Sequence, residues 1–255
     1  MSNRIQKEFQ QQKEAVRLNK YLSEAGVCSR READRLIESG SVFVDGMRAK
    51  TGMKIVPGQV VKVGKKVVSK QDEMVVLAVN KPVGIVCTEE RRERNSIIRF
   101  LNYPIRVTYI GRLDKDSKGL LLMTNNGDII NKMMRAGNMH EKEYKVTVDK
   151  EITKQFLDKM ASGVPILDTI TRPCKIKKIG KYTFQIILTQ GLNRQIRRMC
   201  EALGYQVKEL IRIRVMNIEL GNLKEGEYRK LTDEELECLY EQIQNSSNET
   251  VYVKQ

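Results

Sequence analysis

The 255-residue sequence has a single histidine, His140, and no tryptophan. One imidazole argues against both a His-based metal centre and a Ser-His relay. The five cysteines, Cys28, Cys87, Cys174, Cys200 and Cys238, are scattered with no CxxC pair. That usage fits the reduced thiols of a cytoplasmic protein rather than disulfides or zinc ligands. Long apolar runs are also missing. Stretches such as Met74–Val79 are far too short to cross a bilayer, and the opening "MSNRIQKEFQQQKEAV" lacks the apolar segment of a signal peptide. No G-x-G-x-x-G follows an apolar run, which argues against a doubly wound dinucleotide-binding fold. Any catalysis must rest on carboxylates, tyrosine, lysine or arginine, and no motif implies a metal or a small-molecule cofactor.

Positive charge is abundant. Lys and Arg number 46 against 32 Asp and Glu, a formal net charge of +14, which points to a polyanionic partner. Between Arg17 and Lys70 there are twelve basic and five acidic residues, so half of the surplus lies in the first quarter of the chain. A second basic stretch, Arg194–Arg214, has six against two, whereas the segment after Thr232 is acidic. Two separated patches, without an amphipathic basic helix carrying large apolar residues, favour an extended nucleic-acid footprint over a membrane face.

In "RLNKYLSEAGVCSRREADRLIESG", Leu18, Tyr21, Leu22 and Ala25 follow helical spacing and Gly26 suits a C-terminal cap. Ser29 with Glu32 forms a capping box for a second helix whose apolar face is Ala33, Leu36 and Ile37 and which ends at Gly40. Arg30, Arg31 and Arg35 lie off that face, as a solvated surface or an RNA-contacting one. "SVFVDG" reads as a strand entering an Asp-Gly turn. Residues 15–68 thus form a small module, the polar "SKQDE" (69–73) a linker, 74–240 a second domain, and 241–255 a flexible tail.

The second domain reads as α+β on a mixed, mostly antiparallel sheet. "MVVLAVNKPVG" and "GLLLMTN" are buried strands, and Asp128 can cap the helix "DIINKMMRA". "EYKVTVD" alternates, with Tyr144, Val146 and Val148 on one side. "CKIKKIGKYTFQIILTQ" is a hairpin about Ile179-Gly180, and Asn193 can cap "RQIRRMCEAL".

The stretch "GRLDKDSKGLLLMTNNGD" (111–128) places Asp114 where the chain enters a strand. A turn Asp bonding nearby amides is one reading. A Mg²⁺ site with Asp116 is another, although Arg112, Lys115 and Lys118 oppose a divalent cation there. A carboxylate held ionised by an arginine of the helix after Asn193 is a third.

Residues 17–68 resemble the S4 RNA-binding domain. "NKPVG" (80–84), "GRLDKDSKGLLLMTNNGD", "KEYKV" (142–146) and "TQGLNRQIRRMCEALGY" (189–205) resemble, in that order, RNA pseudouridine synthases of the RsuA family, whose members carry an N-terminal S4 domain. "TQGLNRQIRRMC" and "GEYRKLTDEEL" further resemble its RluF-type branch, which acts on large-subunit ribosomal RNA. The resemblance implies a pseudouridine synthase fold, cofactor-free isomerisation of a flipped uridine, and a monomer. Ribosomal RNA of the 23S type would be the partner, with transfer RNA as a second candidate. It places the catalytic Asp on Asp114, the active-site Tyr on Tyr144 and the Asp-pairing Arg on Arg197. RNA contacts are expected from Arg17, Lys20, Arg30, Arg31, Arg35, Arg112, Arg194 and Arg198. A non-catalytic S4-domain ribosome factor and a metal-dependent nuclease are the competing classes.

Overall fold

The Asp-Gly turn of the first module needs left-handed backbone at both central residues, and both have it: Asp45 has φ 50° and Gly46 φ 83°. This primed turn matches the twist of its flanking strands. The turn belongs to a computed structural model that describes residues 15–69, 74–90, 92–134 and 139–244. Helix α1 is Leu18–Glu24 and α2 is Arg30–Glu38. Ser29 caps α2 by accepting from the Glu32 amide at 3.3 Å, which satisfies one donor of the first turn. Strands β1 (Val42–Val44), β2 (Met47–Arg48), β3 (Val61–Val63) and β4 (Lys66–Val68) form an antiparallel sheet in the order β2-β1-β3-β4. The core comprises Leu18, Leu22, Ala33, Ile37, Val42, Val44 and Val61 among others. Leu36 is only half-buried at its edge. Arg30, Arg31 and Arg35 are exposed on the far side of α2.

The chain divides into two compact units, one through Val75 with the short segments Tyr103–Val107 and Asn125–Gly127, the other made of the remainder. The second unit contains β5 (Val76–Lys81), α3 (Ile97–Leu101), β6 (Thr108–Ile110), β7 (Lys118–Thr124), α4 (Gly127–Met134) from Asp128 onward, and β8 (Lys142–Val148). After these come α5 (Lys154–Ser162), β9 (Lys175–Lys178), β10 (Thr183–Leu188), α6 (Gln195–Ala202), β11 (Val207–Val215), β12 (Tyr228–Lys230) and α7 (Asp233–Gln244). The main path of its nine-stranded sheet is β9-β10-β8-β11-β7-β5-β12. Every pairing is antiparallel except β11 with β7, so the fold is α+β on a mixed sheet. Central β7 is buried at Gly119–Thr124, as expected of a strand covered on both faces. Val146 and Val148 of β8 enter a core with Phe156, Phe184, Ile186, Ile196 and Cys200. Among the described residues no helix is long and apolar enough to cross a membrane.

Three local expectations are corrected. Asp128 lies inside the first turn of α4, which begins at Gly127, rather than capping it. The cap position of α6 is Arg194, left-handed at φ 50° and making no side-chain cap bond; Asn193 instead accepts from Arg198. Helix α7 continues to Gln244 with Ile243 fully buried, four residues past the boundary placed at 240. The rest of the expected tail, 245–255, and all of the linker but Ser69 lie outside the described residues.

Candidate active site

Strand β6 ends at Ile110 and β7 begins at Lys118, and the loop between them is fastened at each step. The Leu113 amide donates to the Cys87 sulfur at 3.5 Å. The Gly84 amide donates to the Lys115 carbonyl at 2.8 Å, and the Ser117 amide to the Asp114 carbonyl at 3.1 Å. Lys81, fully buried, donates to the carbonyls of Pro82 and Ile85 at 2.8 Å each and so stiffens the "NKPVG" turn that carries Gly84. Asp114 emerges from this frame half-buried onto a cleft of about 510 Å³. Tyr144, Arg197, Arg112 and Arg194 also line that cleft. The structure therefore brings together the three residues singled out as catalytic.

Their pairing differs from expectation. Arg197 reaches Asp116, not Asp114. Its Nη2 donates to the Asp116 carbonyl at 2.8 Å and to Ser117 Oγ at 3.3 Å, and its Nε lies 3.4 Å from the Asp116 carboxylate. Arg194 is the guanidinium beside Asp114, at 3.7 Å, while it grips Asp116 with two hydrogen bonds of 3.1 and 2.8 Å. Asp116 thus gathers two arginines, at the cap and in the first turn of α6, against the Asp114 loop. The Arg194 hydrogen bonds hold its carboxyl below the usual carboxylate range. The left-handed Arg194 places its side chain at the helix entrance, a cause invisible to sequence spacing. No cluster of three or more His, Cys, Asp or Glu among the described residues is arranged to hold a metal ion, and the neighbours of Asp116 are cations. Those cations count against a divalent-metal nuclease site there.

Of the residues expected to touch RNA, Arg112 and Arg194 are exposed at this cleft. Arg198 is folded back onto Asn193. Lys20 pairs with Glu24 at 3.5 Å. Arg17, Arg30, Arg31 and Arg35 are exposed on the first unit.

Two cleft residues escaped the sequence reading. Lys142 stands two positions before Tyr144 and shares its side of β8. Arg212 is 2 % exposed and directly opposite Tyr144 in the β8–β11 ladder. The signals were present: period-two spacing from Tyr144, and an Arg in phase with buried Leu210.

Residues 75–202 match the model of the RNA pseudouridylate synthase family, and residues 16–61 match the S4 domain. The chain belongs to the RNA pseudouridine synthases. It is 56% identical over 237 residues to the dual-specificity RNA pseudouridine synthase RluF of Escherichia coli K12, an alignment covering 92% of this chain and 82% of that protein. It is 35% identical over 233 residues to ribosomal large subunit pseudouridine synthase B of Bacillus subtilis, covering 88% and 95%. A crystal structure of a pseudouridylate synthase superposes with a TM-score of 0.65 at 29% identity, over 88% of this chain and 99% of that one. Like its relatives, this pseudouridine synthase is an isomerase that converts uridine to pseudouridine in RNA.

Proposed function

We propose that this synthase isomerises a uridine of large-subunit ribosomal RNA, with Asp114 as the acting carboxylate. The observation that carries this is the convergence of Asp114, from the β6–β7 loop, and Tyr144, from β8, on one cleft large enough for a nucleoside. The target base is inaccessible in a stacked helix, so the nucleotide must flip into the cleft at a cost of a few kcal/mol. The half-buried ring of Tyr144 offers the flipped base a stacking surface. Asp114 then acts at the sugar, by attack on C1′ or by drawing off the 2′ proton. Arg197 serves as a positioning residue, since its bonds go to the Asp116–Ser117 stretch of the loop rather than to Asp114. The first unit docks RNA through the exposed arginines of α2, and the enzyme works as a cytoplasmic monomer without a cofactor. The name of the Bacillus relative supports the large ribosomal subunit, and the dual specificity in the name of the Escherichia relative supports a second RNA substrate, for which transfer RNA is our candidate.

The test maps pseudouridines in total RNA from cells with the gene, without it, and complemented with Asp114→Asn. One ribosomal uridine should lose its modification in the deletion strain and regain it only with the wild-type gene. An unchanged map would overturn the assignment, and restoration by Asp114→Asn would remove Asp114 from the chemistry.

A further inference from the structure

The floor of the cleft carries more positive charge than its protein partners use. Arg212 spends Nε on the Leu120 carbonyl at 2.7 Å and Nη1 on the Arg112 carbonyl at 3.5 Å. Its Nη2 is buried with no hydrogen-bond partner, a costly state for a guanidinium unless something else accepts from it. Lys142 donates to the His140 carbonyl at 3.3 Å, and its other two ammonium protons meet no acceptor among the described residues. The two side chains flank Tyr144, Lys142 along β8 and Arg212 across the ladder, where opposed Cβ atoms stand about 5 Å apart. One extra residue of β11, Ile213, shifts the register just there, the kind of bulge that re-aims a side chain beside a site.

We propose that Lys142 and Arg212 bind the uracil ring as it leaves the sugar and carry the negative charge that it takes with it. The inference rests on the isomerase reading and deepens it. When the C1′–N1 bond breaks, both electrons leave with the base, and the charge spreads over N1, O2 and O4. After the ring turns, C5 supplies the electron pair of the new bond to C1′, the C5 proton is lost and N1 gains one, so the sequence is redox-neutral and consumes nothing. Charge that develops only in the transition state is where fixed donors act most strongly. A backbone phosphate is the other anion within reach of these cations. It fits less well, because Arg212 is buried, whereas Arg112 and Arg194, exposed on the same cleft, are the cations a solvated phosphate would meet first.

Around the cleft, Lys142 is faced by Arg212 from β11, Arg112 and Asp114 from the loop, Arg194 and Arg197 from α6, and His140 on its own segment. Lys115 is exposed, and burial pushes the Cys87 thiol up and keeps it neutral. Burial first, and the Arg212 charge second, pull Lys142 down to about 8. Its charge is therefore lost a little above neutral pH, which makes its role readable.

The experiment follows tritium release from a large-subunit ribosomal RNA transcript labelled at uracil C5, under single turnover with enzyme in excess. Wild type, Lys142→Met, Lys142→Arg and the exposed Lys145→Gln of the same strand are compared, with RNA affinity measured separately. Lys142→Met should lose at least tenfold in rate, and roughly a hundredfold if it is worth as much as one oxyanion-hole donor, at unchanged affinity. The wild-type rate should fall above about pH 8 relative to Lys142→Arg, whose charge persists, and Lys145→Gln should match wild type. A loss below tenfold, a loss confined to affinity as a phosphate contact would give, or a Lys142→Arg profile with the wild-type midpoint would each overturn the proposal. Should Lys142→Met not fold, the pH comparison with Lys142→Arg decides alone. Release of no tritium by the wild type at any pH would instead remove the isomerase reading on which the proposal stands.

Discussion

On the proposed reading a single carboxylate, Asp114, sets the chemistry, and its neighbours determine what each substitution does. Asp114→Asn keeps the loop's backbone bonds, because those run through amides and carbonyls, so rate should vanish while RNA affinity stays within about twofold; filter binding alongside tritium release checks both. Gly119 shows the opposite case, a residue whose importance lies in having no side chain. It sits at φ +104°, and a Cβ there would come 2.4 Å from the Arg212 carbonyl and 2.8 Å from its amide nitrogen. Gly119→Ala should cost roughly 2–4 kcal/mol in urea unfolding and impair activity by displacing Arg212. Lys142 opposes stability to rate. Its pKa in the fold, about 8, lies below an unfolded value near 10.4. The buried ammonium thus destabilises the fold at neutral pH, and the penalty fades as pH rises from about 8 towards 10. Lys142→Met should raise the melting temperature at pH 7 while slowing the reaction, and the gain should shrink by pH 10.

Between the loop and α6 the unit of function is a clamp rather than a pair. Arg194 at the cap of α6 and Arg197 in its first turn both close on Asp116, and Arg194 also stands 3.7 Å from the Asp114 carboxylate. Since these groups are partly exposed, the Arg194–Asp116 coupling should be modest, about 1 kcal/mol in a double-mutant cycle on stability. The effect on rate should be larger, because a loop displaced by a fraction of an ångström misplaces the carboxylate. Asp116→Asn should therefore slow turnover. Arg197→Lys should not restore what Arg197→Ala loses, because one ammonium cannot span the Asp116 carbonyl, Ser117 and Val207 that the planar guanidinium reaches. Arg198→Ala, removing only the two bonds to Asn193, should be nearly silent. The Asp116 carboxyl is depressed below its usual value, so the clamp's contribution is complete above about pH 4 and is lost only as pH falls below that. Acid unfolding of wild type and Asp116→Asn should converge at the low end and differ at neutral pH.

For the molecule as a whole, charge is divided by task. The arginines on the outer face of α2 are exposed, whereas Arg194, Arg197 and Arg212 of the cleft are hydrogen-bonded to the protein. Replacing Arg30, Arg31 and Arg35 with Gln should weaken RNA binding and flatten the dependence of log K on log salt by roughly 0.7–0.9 for each phosphate left without its cation. Turnover at saturating RNA should change little. An unaltered salt slope would assign that face to a partner other than RNA.

Periodicity and punctuation determined the elements. The continuous apolar run of β7, the alternation in β8, the Ser29 cap and the Asp-Gly turn are local matters of sterics and solvation, which is why they can be read from neighbouring residues. The family resemblance of the motifs grouped Asp114, Tyr144 and Arg197, and the structure brings all three to one cleft. What waited for the tertiary structure was who meets whom. A left-handed Arg194, expected to touch RNA, stands beside Asp114, a register shift at Ile213 aligned Arg212 with Tyr144, and Asp116 became the hub of a clamp. Side chains about eighty residues apart are brought within hydrogen-bonding distance by strand pairing and helix placement, and a guanidinium has several acceptors within reach. Which one it takes is settled by distance and burial in the packed fold, and no local pattern encodes those.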